Sequence, residues 1–136
     1  MNKVKAFIER GKDGTYGVYV DLEDHTLDYG VIGDGRTVDE AVADFFACYA
    51  DMKASFAKDG QEFKEAQFEF HYDIASFLSS YSHILSLAGL SRLTGVNQGL
   101  LSHYINGHKK PTPKTVKKIE DAIREFGKQL SQVSFV

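Results

Sequence analysis

Apolar positions recur along this chain first every second residue and then at helical spacing, and these periods define its elements. Val4, Ala6 and Ile8 alternate with Lys3, Lys5 and Glu9, the pattern of a half-buried strand. Residues 11–14 carry turn chemistry, and Tyr16, Val18 and Val20 resume the alternation, which predicts an antiparallel hairpin. Residues 21–25 read as a polar loop, residues 26–32 as a third strand, and Gly33-Asp34-Gly35 as the break that follows it. Thr37-Val38-Asp39-Glu40 is a capping box, in which hydroxyl and carboxylate each take an open backbone N–H. Val38, Val42, Phe45, Tyr49, Met52 and Phe56 then form a long apolar stripe that Ala41 and Cys48 widen, and Gly60 ends it. Phe68, Phe70 and Tyr72 alternate with Gln67, Glu69 and His71 as a fourth strand.

From Asp73 onward the spacing is helical throughout. Asp73 caps a helix whose inward positions are Ile74, Phe77, Leu78, Tyr81, Ile84 and Leu85, with no Pro- or Gly-rich linker before it. Ser86 caps a short helix through Leu87, Leu90 and Leu93, which Gly95 stops. Asn97 caps the next, from Gln98 to Asn106, closed by Gly107. Val96, Leu101, Tyr104 and Ile105 fall on one side of it, while Gln98, Gly99, Ser102, His103 and Asn106 fall on the other. Thr112 and Pro113 open a last helix with Val116, Ile119, Ile123, Phe126 and Leu130 on its apolar face. The pattern predicts an α+β chain: a βββαβ sheet-plus-helix module over residues 1–72, and an all-α helix-turn-helix domain over residues 73–136.

Charge sharpens that division. Residues 1–72 hold 8 Lys and Arg against 15 Asp and Glu, a balance of −7, and residues 73–136 hold 8 against 4, or +4; the total is the chain's −3. An acidic front and a basic back suit one cationic and one anionic partner, although acidic surface that merely keeps a protein in solution gives the same counts. A single cysteine, Cys48, forbids an internal disulfide and fits a reducing cytoplasm. No apolar run approaches the ~18 residues of a membrane span and no signal peptide opens the chain, so no membrane partner is expected.

The free face of the 98–106 helix offers amide, hydroxyl and imidazole groups of the kind that pair with base edges in a major groove. Gln98, Gly99, Ser102, His103 and Asn106 are the candidates for base contacts. Arg92, Asn97, His108, Lys109 and Lys110 are the candidates for the phosphate backbone. The run Leu90-Ser91-Arg92-Leu93-Thr94-Gly95-Val96-Asn97-Gln98, with Leu101-Ser102 and Asn106-Gly107-His108-Lys109-Lys110-Pro111, resembles the XRE (Cro/cI-type) family of repressor domains. That resemblance implies a lambda repressor-like fold. It departs at Ser91, where the family usually keeps Ala, and at Gly99, where a polar residue is common.

The front module resembles the HicB antitoxin family in its opening strand up to Ile8-Glu9, in Asp13-Gly14-Thr15-Tyr16, and in Gly35-Arg36-Thr37-Val38-Asp39-Glu40-Ala41. The resemblance implies a small, catalytically degenerate RNase H-like fold and, as partner, a HicA-type mRNA-cleaving toxin. In the loop after the second strand this chain reads Val20-Asp21-Leu22-Glu23-Asp24-His25, without the two prolines and the cysteine usual there. Together the two resemblances imply an antitoxin that represses its own operator as a homodimer or higher homo-oligomer. The competing readings are an orphan regulator whose front module dimerises or senses a small ligand, and an RNase H-like nuclease using Asp21, Asp24, Asp28 and Glu40. The expectation is a binding protein with no catalytic residue, no metal and no cofactor. His25, His71 and His83 are scattered and show no zinc spacing with His103 and His108. Cys48 reads as a core residue, and Val133, Phe135 and Val136 as a frayed tail or a short strand pairing with a neighbouring chain.

Overall fold

The computed structural model describes residues 1–136, which divide into two compact units, Met1–Ser76 and Phe77–Val136. The boundary falls inside a helix rather than at the Tyr72/Asp73 junction. In the first unit, β1 (Asn2–Arg10), β2 (Tyr16–Val20), β3 (Ile32–Gly35), α1 (Val38–Lys58) and β4 (Ala66–Tyr72) follow in chain order. The sheet order is β3-β2-β1-β4. β1 pairs antiparallel with β2 (Ile8 opposite Val18) and parallel with β4 (Val4 opposite Phe68). The crossover that a parallel pair requires is α1, and it covers one face of the sheet.

Ala6, Ile8 and Val18 are buried under this helix, and Ala41 and Phe45 reach down to them from its first turns. Cys48 and Tyr49 are half-buried against the same cluster. Thr37 Oγ1 accepts the Glu40 N–H at 3.1 Å, and the Glu40 carboxylate accepts the Arg36 N–H at 2.9 Å, one residue outside the usual capping-box partner. At the other end of α1, Tyr29 stacks on Phe63 at 4.6 Å and meets Phe56 edge-on at 5.6 Å, while its hydroxyl donates to the Lys64 carbonyl.

The third strand lies elsewhere than its residue types suggest. Residues 26–32 form mostly loop, and the strand is Ile32–Gly35, which pairs Tyr16 with Gly35 and Val18 with Gly33. The glycines are required by proximity, because a Cβ on Gly33 would stand 2.3 Å from the Phe45 amide nitrogen and 2.4 Å from the Ala41 carbonyl oxygen. One on Gly35 would stand 2.5 Å from the Ala41 amide nitrogen. The helix backbone thus rests directly on the strand, and the Gly33-Asp34-Gly35 signal for a break is here a signal for contact.

The remaining helices are α2 (Ile74–Ser80), α3 (Leu87–Thr94), α4 (Gln98–Ile105) and α5 (Pro113–Ser131). Within the second unit α3 packs on both α4 and α5, and Leu90, Leu101, Tyr104 and Ile119 form its buried centre. Two predicted inward positions turn outward. Ile84 is 65% exposed because α2 ends at Ser80 and the chain turns before α3, and Leu130 is 56% exposed at the far end of α5. No helix is long and apolar enough to cross a membrane.

Candidate nucleic-acid interface

The second unit presents its polar side chains from α3, α4 and the loop beyond. Ser86 Oγ accepts the Gly89 N–H at 3.0 Å, satisfying a donor that the first turn of α3 leaves open. The helix stops at Gly95, whose φ of +73° lets its N–H donate back to the Ser91 carbonyl at 2.8 Å. From α5, the Lys118 ammonium reaches the Gly95 carbonyl at 3.5 Å. Asn97 starts α4, its Oδ1 accepting from Gly99 N–H at 2.8 Å and from Leu100 N–H at 3.4 Å.

Residues 95–97 turn the chain between the two helices, and a side chain not singled out from the sequence holds that turn. Thr94 is 4% exposed; its hydroxyl donates to the Leu90 carbonyl at 2.7 Å and accepts the Val96 N–H at 3.2 Å. A hydroxyl just before a helix-stopping glycine is a signal for such a double contact, since it supplies a donor and lone pairs at once. Thr94→Val, equal in shape, strands the buried Val96 N–H. It is expected to destabilise this unit by about 1–3 kcal/mol, read as a lowered thermal midpoint that Thr94→Ser largely restores.

On α4, Leu101 and Tyr104 are buried against the unit and Ile105 is half-buried. The opposite edge is open: Gln98, Gly99, His103 and Asn106 are exposed and Ser102 is half-buried. Gly99 has no side chain to offer a base, and its N–H is already held by Asn97, so at this position the surface is only lowered. Asn97 spends its oxygen on the cap and keeps its amide NH2 for an outside acceptor.

The helix closes with a paired return. Gly107 N–H donates to the Tyr104 carbonyl at 3.2 Å and His108 N–H to the His103 carbonyl at 2.9 Å. This Schellman closure folds the loop back, so the His103 and His108 rings lie 5.6 Å apart and the exposed Lys109 and Lys110 follow directly. Arg92, on the last turn of α3, is also exposed. No Asp or Glu occurs between Asp73 and Glu120, a stretch that holds Arg92, Lys109, Lys110, Lys114, Lys117 and Lys118. Arg92 on α3 and Lys109 and Lys110 in the loop after α4 are thus joined by no Asp or Glu from these elements themselves, which suits a polyanion.

Three of the four carboxylates weighed for a nuclease are engaged locally. Asp21 accepts the Glu23 N–H at 3.0 Å, Asp24 the Thr26 N–H at 2.8 Å, and Glu40 caps α1. No three His, Cys, Asp or Glu side chains gather as a metal set.

Residues 82–125 match the helix-turn-helix family model, a span that takes in α3, α4 and most of α5. Over α3, α4 and most of α5 the second unit is thus similar to helix-turn-helix domains. Comparison of the chain with curated proteins and with solved structures finds no match.

Proposed function

We propose that the chain is a sequence-specific antitoxin and autorepressor of the HicA–HicB type. Its helix-turn-helix reads an operator, and its sheet module covers a HicA-like mRNA-cleaving toxin. The observation that carries the DNA half is the open polar edge of α4, flanked by Lys109 and Lys110 and free of acidic side chains. Gln98, Ser102, His103 and Asn106 reach base edges, with Gly99 allowing close approach. Arg92, Asn97, His108, Lys109 and Lys110 hold the phosphates. One such helix reads only a few base pairs, so a homodimer on an inverted repeat is the working form.

Charge supports the antitoxin half. Met1–Ser76 holds 8 basic and 16 acidic side chains, or −8, against 8 and 3, or +5, in Phe77–Val136, which together make −3. An acidic module suits a small basic RNA-binding toxin, whose RNA surface it would occupy. The chain acts by binding, without a catalytic residue, metal or cofactor.

Gln98→Ala is expected to lose about 1–3 kcal/mol on the preferred operator and to relax specificity at one position. Lys109→Ala is expected to weaken binding to all sequences alike and to reduce the salt slope by about 1. Mobility shifts on the operator and on a scrambled duplex, over a salt series, separate the two, and an identical sequence-independent loss from both overturns these roles. For the antitoxin half, co-expression with the toxin encoded beside it is expected to relieve growth arrest, with Gln98→Ala as effective as the unaltered chain. Persistent arrest removes the toxin partner and leaves the operator reading standing.

A further inference from the structure

The sheet of the first unit has two edge strands, and they are protected unequally. On β3, the Asp34 N–H donates to the Asp44 carboxylate of α1 at 2.9 Å, so a side chain occupies that edge. β4 is the other edge strand, and its pairing with β1 decides which backbone groups look outward. Asn2 N–H donates to the Glu65 carbonyl at 3.4 Å, with Val4 opposite Phe68 and Ala6 opposite Phe70. In a parallel ladder of that phase, odd-numbered β4 residues bond to β1 and even-numbered ones turn away from it. The Ala66 N–H is taken by the Tyr49 hydroxyl at 3.0 Å. Phe68 and Phe70 have no such partner, so the N–H and C=O groups of both stand open.

We propose that an extended strand of a basic partner protein adds to the sheet here, bonding to the backbone of Phe68 and Phe70. The surroundings select its side chains. On the helix side, Phe46 is 45% exposed and its ring lies 6.2 Å from Phe68 and 5.9 Å from Phe70, a shelf for apolar residues. On the other side Gln67 and Glu69 are exposed, and Glu69 has one partner, His71 Nε2 at 3.0 Å. Successive residues of a strand alternate faces, so the fitting sequence alternates apolar residues with lysine or arginine. The 16 acidic against 8 basic side chains of Met1–Ser76 favour the same cationic partner.

A second copy of β4 fits this edge less well. The antiparallel register that joins Phe68 to Phe70 sets Glu69 opposite Glu69, where like charges repel. A shift of two residues leans either on Ala66, whose N–H is taken, or on Tyr72, the last residue before the chain turns into α2. The inference rests on the antitoxin reading, which supplies a small basic protein, and adds the place and mode of its docking.

The test follows backbone amides by hydrogen exchange in NMR, on the full chain alone and with the purified toxin encoded beside it. The Phe68 and Phe70 amides are expected to exchange freely in the free chain and to slow by at least about 10-fold in the complex. Glu69→Lys should weaken the complex by about tenfold in calorimetric titration. Asp51→Lys, the same charge change at an exposed position on α1, should leave affinity within about threefold. Circular dichroism checks that both variants keep the fold. A complex that forms while both amides still exchange freely, or equal losses from the two variants, overturns the docking mode and leaves the antitoxin reading standing. Protection that grows in the free chain with its concentration assigns the edge to a second copy and overturns the basic strand. Failure of the unaltered chain to bind the toxin removes the antitoxin reading and this inference together.

Discussion

Gly33→Ala is expected to destabilise the first unit by about 3 kcal/mol or more, a large fraction of the ~5–15 kcal/mol that holds an ordinary domain folded. The added Cβ would meet the Phe45 amide nitrogen, the Ala41 carbonyl oxygen and Phe45 Cα, all within 2.7 Å. These are backbone atoms of a helix already hydrogen-bonded, so no rotamer change relieves the clash. α1 must lift from the sheet or β3 must leave Tyr16 and Val18. Urea unfolding followed by far-ultraviolet circular dichroism reads the loss as a lowered midpoint. Gly30→Ala is the matched control, since a Cβ there meets nothing within 4 Å, and it should stay within about 0.5 kcal/mol of the unaltered chain. Equal behaviour of the two variants would refute direct contact between strand and helix.

Phe45→Ala is expected to cost about 3–5 kcal/mol in the same measurement. Phe45 is fully buried, and its ring meets Phe68 at 4.8 Å and Phe70 at 5.6 Å, both edge to face. Truncation removes the hydrophobic contact and opens a cavity between helix and sheet that the backbone at Gly33 cannot close. The two substitutions touch the same place from opposite sides without compensating. The Gly33 clash is with Phe45 backbone, so the double variant should be no more stable than Gly33→Ala alone, whereas a rescue would locate the clash in the phenyl ring.

Wherever side-chain period and burial coincide, the fold was legible in the residues. Val4, Ala6 and Ile8, the capping box at Thr37 and the stripe through Phe45 and Tyr49 all point to the elements they form, as do Ser86, Gly95 and Asn97. The third strand was hidden because propensity describes a residue alone, and Gly33 and Gly35 owe their strand to the helix lying on them. Tyr29 falls within the 26–32 segment that reads as a strand, yet it is held in a loop by Phe63 and the Lys64 carbonyl. Ile84 and Leu130 keep the helical rhythm beyond the reach of the core. At the interface, the outward set on α4 follows from helical spacing, which lets Leu101 and Tyr104 identify the inner side. Thr94 was missed because its role lies in two backbone contacts across a turn, which no periodicity records. The carboxylate-free stretch from Ile74 to Ile119 was present in the letters but is blurred by any count taken over a whole half.

The position of β1 between β2 and β4 sets an order of events during synthesis. Asn2 pairs with Ala66 and Ile8 with Tyr72, so the parallel half of the sheet cannot form until the ribosome has released β4. Until then β1 exposes an unpaired apolar edge, which is the hazard that makes non-local sheets slow to fold and prone to aggregate. The helical unit behind it closes contacts that are near in sequence and needs no such delay. Newly made chains are therefore expected to be most vulnerable at their first strand.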